Sequence, residues 1–223
     1  MFPTILRTII DLSQPVGADT PVYPGDGPVR ITRLDQAGVH VSRIDLSVHT
    51  GTHMDAPDHF IAGGATIDGV PLERCLAPAR VIDLRGDLRG VPARGTIRRE
   101  HLVKYREALG QVRAAVLQTG WSKQWGAANY FFDHPALAED AAAFLVDRGI
   151  ELVGVDMPSV DHAPYAAHRV LLGAGVLIVE NLTNLDAVGA DPFELAVLPL
   201  KLVGRDGSPV RAVAIVNGPV PGA

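Results

Sequence analysis

Four potential metal ligands lie within eleven consecutive residues of this chain. The segment His49-Thr-Gly-Thr-His-Met-Asp-Ala-Pro-Asp-His59 contains three of the eight histidines, with Asp55 among them. Imidazole nitrogens and a carboxylate oxygen suit Zn²⁺, Mn²⁺ or Fe²⁺. In an extended or looped chain these four side chains share parity, so several of them point the same way. The spacing predicts a divalent metal site, and the alternative is a set of histidines with only surface or packing roles.

The order of these residues resembles the H-x-G-T-H-x-D-x-P-x-H signature of the cyclase family of metal-dependent hydrolases. That family includes bacterial kynurenine formamidases (arylformamidases) and isatin hydrolases. Further segments agree with it: Asp11-Leu-Ser, Thr20-Pro-Val-Tyr-Pro-Gly25, Thr119-Gly-Trp121, and Ala167-His168 followed twelve residues later by Glu180-Asn181-Leu182. The resemblance covers roughly residues 8 to 217, which is nearly the whole chain.

The resemblance implies how the metal ligands are divided. His49, His53 and Asp55 correspond to the ligands of a first ion. The Asp55 carboxylate would also bridge to a second ion, completed by His168 and Glu180. The expected cofactor is Zn²⁺, one or two ions per subunit, with Mn²⁺ as the alternative.

His59 corresponds to the catalytic histidine of the family. A divalent ion lowers the pKa of its bound water from about 15.7 towards ~7 and polarises a carbonyl group, so it provides both requirements of amide hydrolysis. A histidine that is not bound to the ion is free to move a proton from the water to the leaving amine. The neighbouring Asp58 either sets the tautomer or pKa of His59 or faces water.

Three hypotheses for function follow. The first is hydrolysis of a small amide, with N-formylkynurenine as the expected substrate and kynurenine and formate as products. The second is ring opening of a cyclic amide or lactone, as in isatin hydrolase, by the same chemistry. The third is a metal-binding structural or regulatory domain without turnover. A structural site closes its coordination and needs no additional base, so the presence of His59 favours catalysis.

Short apolar segments separated by Gly and Pro predict many strands and few helices. Residues 44–49 alternate between apolar and polar, which is typical of a strand. The predicted strands cover residues 39–49, 79–84, 112–117, 152–155, 176–179, 195–203 and 210–216, and the Asp206-Gly207 pair predicts a hairpin turn at 205–208. Helices are predicted at 98–109 and 135–148, with a short helix at 169–172. Residues 20–28 are rich in Pro and Gly and predict a loop.

These elements predict one mixed α/β domain over residues 1–223. The resemblance implies a β-rich swivelling β/β/α architecture, with a small barrel-like sheet core and peripheral helices. It also implies a homodimer or homotetramer in which partner loops close the site.

The composition of the chain excludes several classes of binding partner. Of 223 residues, 47% are apolar and 20% charged. The formal net charge is −5, so the chain lacks the excess positive charge that is typical of nucleic-acid-binding proteins. No apolar run approaches the ~18 residues of a membrane span. Arg7 interrupts the first apolar stretch, so no signal peptide is expected. The single cysteine, Cys75, excludes an internal disulfide and fits a reducing compartment. We therefore expect a soluble cytoplasmic protein with a small-molecule substrate.

The remaining histidines and the aromatic residues give less specific predictions. His162 is expected in a loop, and His40, His101 and His134 are expected at the surface, because none of them has a pattern of partner residues. Five of the twelve aromatic residues lie between Trp121 and Phe132. They predict an aromatic lid, a subunit interface or simple packing.

Overall fold

The computed structural model describes residues 7–89 and 94–218. The strands are β1 (Arg7–Asp11), β2 (Arg30–Gln36), β3 (Val39–Asp45), β4 (His53–Asp55), β5 (Leu76–Asp83), β6 (Thr96–Ile97), β7 (Ala114–Gln118), β8 (Ala136–Leu137), β9 (Leu152–Val155), β10 (Leu177–Glu180), β11 (Phe193–Pro199) and β12 (Gly207–Asn217). The helices are α1 (Leu72–Cys75), α2 (Arg99–Val103), α3 (Arg106–Leu109), α4 (Glu139–Asp147) and α5 (Ala166–Gly173).

The main sheet closes on itself. Its strands follow the order β12-β11-β5-β7-β9-β10-β4, and β4 pairs again with β12, which completes a ring of seven strands. The strands β5, β7, β9 and β10 are parallel, whereas β4, β11 and β12 run antiparallel to their neighbours. The barrel expected from the resemblance is confirmed. The strand that closes it, β4, carries His53 and Asp55.

The parallel strands β7, β9 and β10 are buried at every residue, which explains their nearly continuous apolar sequences, whereas β5 is exposed at several positions. Val81 and Val116 belong to a cluster that also includes Met54 of β4, on the opposite side of the ring from β5. Their chain neighbours Ile82 and Leu117 belong to a second cluster, which contains the buried residues of α2, α4 and α5. One cluster fills the barrel and the other joins the helices to its outer surface.

Most predicted strands are confirmed, with small shifts at their ends. The structure has β5, β7, β9 and β10 at the strands predicted for residues 79–84, 112–117, 152–155 and 176–179, respectively. It has α5 where the short helix is predicted at 169–172. The segment 39–49 is a strand only as far as Asp45, after which the chain turns before β4. The hairpin prediction at 205–208 was wrong in position, because residues 200–206 form the connection and Gly207 already pairs with Asp55.

The two long predicted helices are shorter than expected. Residues 98–109 form two short helices, α2 and α3, separated at Tyr105, whose hydroxyl donates to the Asp83 carbonyl at 2.7 Å. Residues 136–137 form a strand with β6, and α4 begins only at Glu139. The backbone of Leu137 is bonded to the Val160 carbonyl at 2.7 Å, which holds it outside the helix.

The described helices are all too short or too polar to cross a membrane. The loop predicted at residues 20–28 is confirmed. The expectation that the N-terminal stretch is not a signal peptide concerns Met1 to Asp11, and residues 1–6 lie outside the described residues.

Candidate metal centre

Strand pairing brings together three of the residues expected as ligands: His53, Asp55 and Glu180. His53 and Asp55 are both buried on β4, separated by Met54. In the antiparallel pairing of β4 with β10, Glu180 lies directly opposite His53. This pairing explains why a carboxylate ends the apolar strand Leu177–Glu180, since it lies beside an imidazole rather than unpaired in the core.

Asn181 fixes the loop that carries His49. Its backbone has a φ of +60°, a conformation that asparagine adopts more readily than most residues. The Asn181 side chain donates to the Gly51 carbonyl at 2.9 Å and accepts a hydrogen bond from the Tyr130 hydroxyl at 2.7 Å. The Thr52 hydroxyl donates to the Asn181 carbonyl at 2.7 Å. These bonds tie the Thr50–Thr52 stretch, between His49 and β4, to the end of β10.

His59 ends a 3-10 turn, Pro57–His59, that follows β4. Its ring centroid lies 4.0 Å from that of His49. One ring nitrogen of each histidine and one oxygen of Asp55 lie within 4.8 Å of one another. His59 is therefore at the centre, while remaining partly exposed to solvent.

His168 reaches the centre from the first turn of α5. Asp161 accepts backbone hydrogen bonds from Ala167 at 2.6 Å and His168 at 3.3 Å through one carboxylate oxygen. Its other oxygen lies 2.5 Å from Nδ1 of His168. Asp161 thus binds the helix N-terminus and orients the histidine ring, leaving Nε2 to face the centre.

The two buried carboxylates each face histidines on both sides. His53 Nε2 lies 3.4 Å from Asp55 Oδ1 and 3.4 Å from Glu180 Oε2. His168 Nε2 lies 3.4 Å from Glu180 Oε1 and 3.9 Å from Asp55 Oδ2. His49 Nδ1 lies 2.9 Å from Asp55 Oδ1. The five residues expected as ligands therefore surround one common volume.

The chemistry of these donors fits divalent ions. Asp55 Oδ2 is buried and has no hydrogen-bond partner among the described residues, as expected of an oxygen that binds a cation. The outward nitrogen of each ligand histidine faces an oxygen: the Gly51 carbonyl for His53, Asp161 for His168 and Asp206 for His49. Metal-binding histidines almost always make such an outer contact, which fixes the ring and its tautomer.

The electrostatics of the centre also favour cations. Burial by itself lowers the pKa of His53, but the carboxylates of Asp55 and Glu180 outweigh it and raise this pKa to about 10. Burial also lowers the pKa of His168, but the carboxylates of Asp161 and Glu180 outweigh it and raise this pKa to about 10. In the metal-free protein, protons supply the positive charge that these carboxylates require. Metal binding would displace those protons and strengthen with rising pH.

His59 differs from the ligand histidines in its protonation. Burial lowers its pKa below the ordinary value of 6.5, against an opposing effect of the Asp55 charge. The ring is therefore mostly neutral at pH 7 and can accept a proton. That property suits a base.

The other histidines only partly follow expectation. His40 is exposed, and His162 lies in the loop before α5. His101 is partly buried, and its Nδ1 accepts a hydrogen bond from the Arg98 amide at 3.0 Å. The prediction that His134 lies at the surface was wrong. The residue is only 1% exposed, and its ring centroid lies 3.9 Å from that of His162. Burial lowers the pKa of His134 to about 4, so it is a neutral core side chain.

The aromatic cluster between Trp121 and Phe132 mainly packs. Tyr130 is fully buried, and the Trp121 indole donates to its carbonyl at 2.9 Å. The rings of Phe131 and Tyr23 pack edge to face with their centroids 5.9 Å apart, whereas Phe132 is exposed. The cluster supports Asn181 through Tyr130.

Sequence reasoning missed three residues that hold the centre. Asp161 lies beside His162, and its position just before a helix is the signal that could have marked it. Asn181 was noted only as part of the Glu180-Asn181-Leu182 segment. Asp206 was assigned to a turn because Asp-Gly pairs are typical of turns.

A closed barrel with a buried histidine–carboxylate centre beside its closing strand defines a metal-binding protein of mixed α/β class. The chain belongs to the cyclase family, whose profile matches residues 10–162.

Individual relatives agree with this assignment. The kynurenine formamidase of Bacillus thuringiensis (strain Al Hakam) is 40% identical over 212 residues, which cover 92% of this chain and 95% of that protein. Isatin hydrolase A from Labrenzia aggregata, solved with benzyl benzoate, superposes with a TM-score of 0.85 at 28% identity, covering 95% of this chain and 94% of the other. A potential metal-dependent hydrolase with cyclase activity has a TM-score of 0.78 at 30% identity, covering 96% and 100%.

Proposed function

We propose that this protein is a metal-dependent arylformamidase, which hydrolyses N-formylkynurenine to kynurenine and formate. The observation that carries the proposal is a neutral histidine, His59, beside a buried centre that already contains three other histidines and two carboxylates. A purely structural metal site would not need this additional histidine. The similarity to kynurenine formamidases over most of the chain supports the choice of substrate.

We propose Zn²⁺ as the cofactor, held by His49, His53, Asp55, His168 and Glu180, with Mn²⁺ as the alternative. Such an ion would lower the pKa of water and polarise the formyl carbonyl. His59 accepts the proton from the attacking water as the C–O bond forms. It then gives this proton to the anilide nitrogen as the C–N bond breaks, so that the free amine leaves with formic acid, which loses its remaining proton to water as formate.

A group of aromatic side chains supports an aryl substrate. Phe60 stacks on the His168 ring with centroids 4.4 Å apart, and Tyr165 packs against Phe60 at 5.3 Å. The Tyr165 and Tyr23 hydroxyls lie 3.5 Å from each other. These rings lie next to the metal centre on the side of His168. They offer a planar apolar surface to the aryl part of a substrate.

Ring opening of isatin or a lactone is the second candidate. The fold similarity to isatin hydrolase supports it, and the same groups would perform the hydrolysis. The higher identity and coverage of the formamidase relatives favour the open-chain formamide.

A substrate panel tests this proposal. The full chain, reconstituted separately with Zn²⁺ and Mn²⁺, is assayed with N-formylkynurenine, isatin and simple lactones. We expect kcat/KM for N-formylkynurenine to exceed that for isatin, because the kynurenine formamidase relatives are more similar to this chain than the isatin hydrolases are. Rapid opening of isatin without formamide hydrolysis would contradict the proposal and favour the second candidate. No turnover of any of them with either metal would favour a non-catalytic domain.

We also propose a homodimer or homotetramer. The β2–β3 hairpin is exposed along both faces, and a two-stranded hairpin is marginally stable alone. It carries apolar pairs on both faces: the exposed Ile31 and Ile44 on one, and the partly buried Leu34 opposite the exposed Val41 on the other. A second copy of the chain would cover them. Sedimentation velocity should show an assembly larger than 23.7 kDa, and a strict monomer at micromolar concentration would contradict the proposal.

We propose that the enzyme acts in the cytoplasm, since its single cysteine, Cys75, is buried and requires no oxidising compartment. Cell fractionation with activity measurement would test this location.

A further inference from the structure

Asp206 lies between a metal ligand and the acid–base residue. Its Oδ2 atom is 2.8 Å from Nε2 of His49 and 3.3 Å from Nδ1 of His59. A carboxylate only accepts hydrogen bonds, and one oxygen can accept two. Both nitrogens that face Asp206 therefore carry hydrogen atoms.

This arrangement determines the opposite nitrogen of each ring. In a neutral imidazole only one nitrogen carries hydrogen. When a metal ion displaces the proton between Nδ1 of His49 and Asp55, the hydrogen left on Nε2 faces Asp206 and Nδ1 would present a lone pair to the ion. That nitrogen lies 2.9 Å from Asp55 Oδ1, so the two residues could hold the same ion. In His59 the lone pair is left on Nε2, which becomes the atom that accepts a proton.

The backbone holds Asp206 firmly in this position. The Asp206 carbonyl accepts the Ala56 amide at 2.8 Å, and the Arg205 carbonyl accepts the Ile67 amide at 2.8 Å. The Gly204 amide donates to Asp68 at 2.9 Å. Three hydrogen bonds thus join the connection before β12 to residues 56–68, the same segment that carries His59.

Gly207 explains why this connection ends in an Asp-Gly pair. A Cβ atom at Gly207 would lie 2.9 Å from Cε1 of His49 and 2.9 Å from the Met54 carbonyl oxygen. Real Cβ atoms do not approach other atoms this closely, so a larger residue would displace the His49 ring. The absence of a side chain at 207 lets His49 lie against the backbone, within reach of the Asp206 carboxylate.

We propose that Asp206 is a positioning residue that sets the tautomer of both His49 and His59 with one carboxylate oxygen. It thereby couples metal affinity to proton transfer. The part that concerns His59 rests on the proposed hydrolytic function, whereas the part that concerns His49 requires only metal binding.

The test compares Asp206→Ala, Asp206→Asn and Asp206→Glu with the matched control Asp58→Asn. Asp58 precedes His59 in the chain, but within the described residues its side chain makes no hydrogen bond to that ring. Zn²⁺ affinity is measured by chelator competition and bound Zn²⁺ by elemental analysis. Long-range ¹H–¹⁵N spectra report the histidine tautomers, and steady-state kinetics are run at saturating Zn²⁺.

We expect Asp206→Ala to weaken Zn²⁺ binding by ~10–100-fold without changing the number of ions at saturation. At saturating Zn²⁺, kcat should still fall by ~10-fold or more while KM changes little. The Nε2–H of His49 and the Nδ1–H of His59 should be seen in wild type and lost in the variant. Asp206→Glu should restore part of both effects, and Asp58→Asn should match wild type.

A double variant separates positioning from general structural damage. In a His59→Ala background, Asp206→Ala should lower kcat no further, while the loss of Zn²⁺ affinity should persist in full. A further kcat loss as large as in wild type would overturn the link to His59. If Asp206→Ala has a lower Tm, Asp206→Asn, which keeps the shape of the side chain, decides the result.

Two other results would overturn the proposal. Fewer bound ions at saturation would make Asp206 a ligand, and unchanged Zn²⁺ affinity, tautomers and kcat would give it no role. The affinity and spectra need no substrate, so they still test Asp206 if N-formylkynurenine is not hydrolysed and only the proposed function fails.

Discussion

Replacing His59 with alanine or glutamine is expected to lower kcat by ~10²–10⁴-fold, the usual contribution of an acid–base side chain. Burial keeps the pKa of His59 below its ordinary value, so the neutral ring is available as a base at pH 7. Its ring lies 4.0 Å from His49, close enough to act on atoms held at the metal centre. The bound metal should stay at its wild-type level, because the substitution leaves the five residues that we propose as ligands unchanged.

Elemental analysis beside steady-state kinetics checks this expectation. His101→Gln is the matched control, since His101 lies on α2 and a glutamine can still accept the hydrogen bond from the Arg98 amide. A His59 variant that loses metal in proportion to activity would make His59 a ligand. This outcome is a real alternative, because His59 lies within 4.8 Å of ligand atoms of His49 and Asp55. Full activity with full metal content would contradict any role in proton transfer.

The local part of the centre was predictable because its residues are close together in the chain. His49, His53, Asp55 and His59 follow a fixed order around one short strand, and the structure brings them together as expected. Glu180 lies far along the chain, and only its resemblance to a family segment marked it. Strand register then explains its place, since β10 pairs it with His53.

The supporting residues were not predictable for a physical reason. Asp206 is 147 residues from His59, and its local sequence, Asp-Gly, is equally typical of an ordinary turn. Only closure of the barrel, with Gly207 opposite Asp55, brings it to the centre. The helix predicted at 98–109 failed for a similar reason, because Tyr105 makes a tertiary hydrogen bond to Asp83 that local propensity does not reveal.

Glu180→Gln is expected to reduce bound metal from two ions per subunit towards one. Glu180 faces both His53 and His168 at 3.4 Å, so its charge is shared between two positions. His49, His53 and Asp55 remain to hold the first ion, whereas the second would keep only His168 and one oxygen of Asp55. Glutamine preserves the shape of the side chain and removes its charge, so the fold should persist.

Asp55→Asn is the informative comparison. Asp55 Oδ1 faces His49 and His53 while Oδ2 faces His168, so loss of this charge should weaken both ions together. Elemental analysis at the Zn²⁺ concentration that just saturates wild type therefore gives a distinct result for each protein: two ions in wild type, one in Glu180→Gln and fewer than one in Asp55→Asn.

A single ion in the wild type, unchanged by excess Zn²⁺ and by Glu180→Gln, would contradict the two-ion centre. Glu180 would then serve only as the partner of the two histidines, and Asp55 Oδ2 would stay without a cation despite its burial. That outcome leaves a mononuclear enzyme, because His49, His53 and Asp55 are sufficient for one ion. It would also move the expected substrate from the open-chain formamide towards rings of the isatin type.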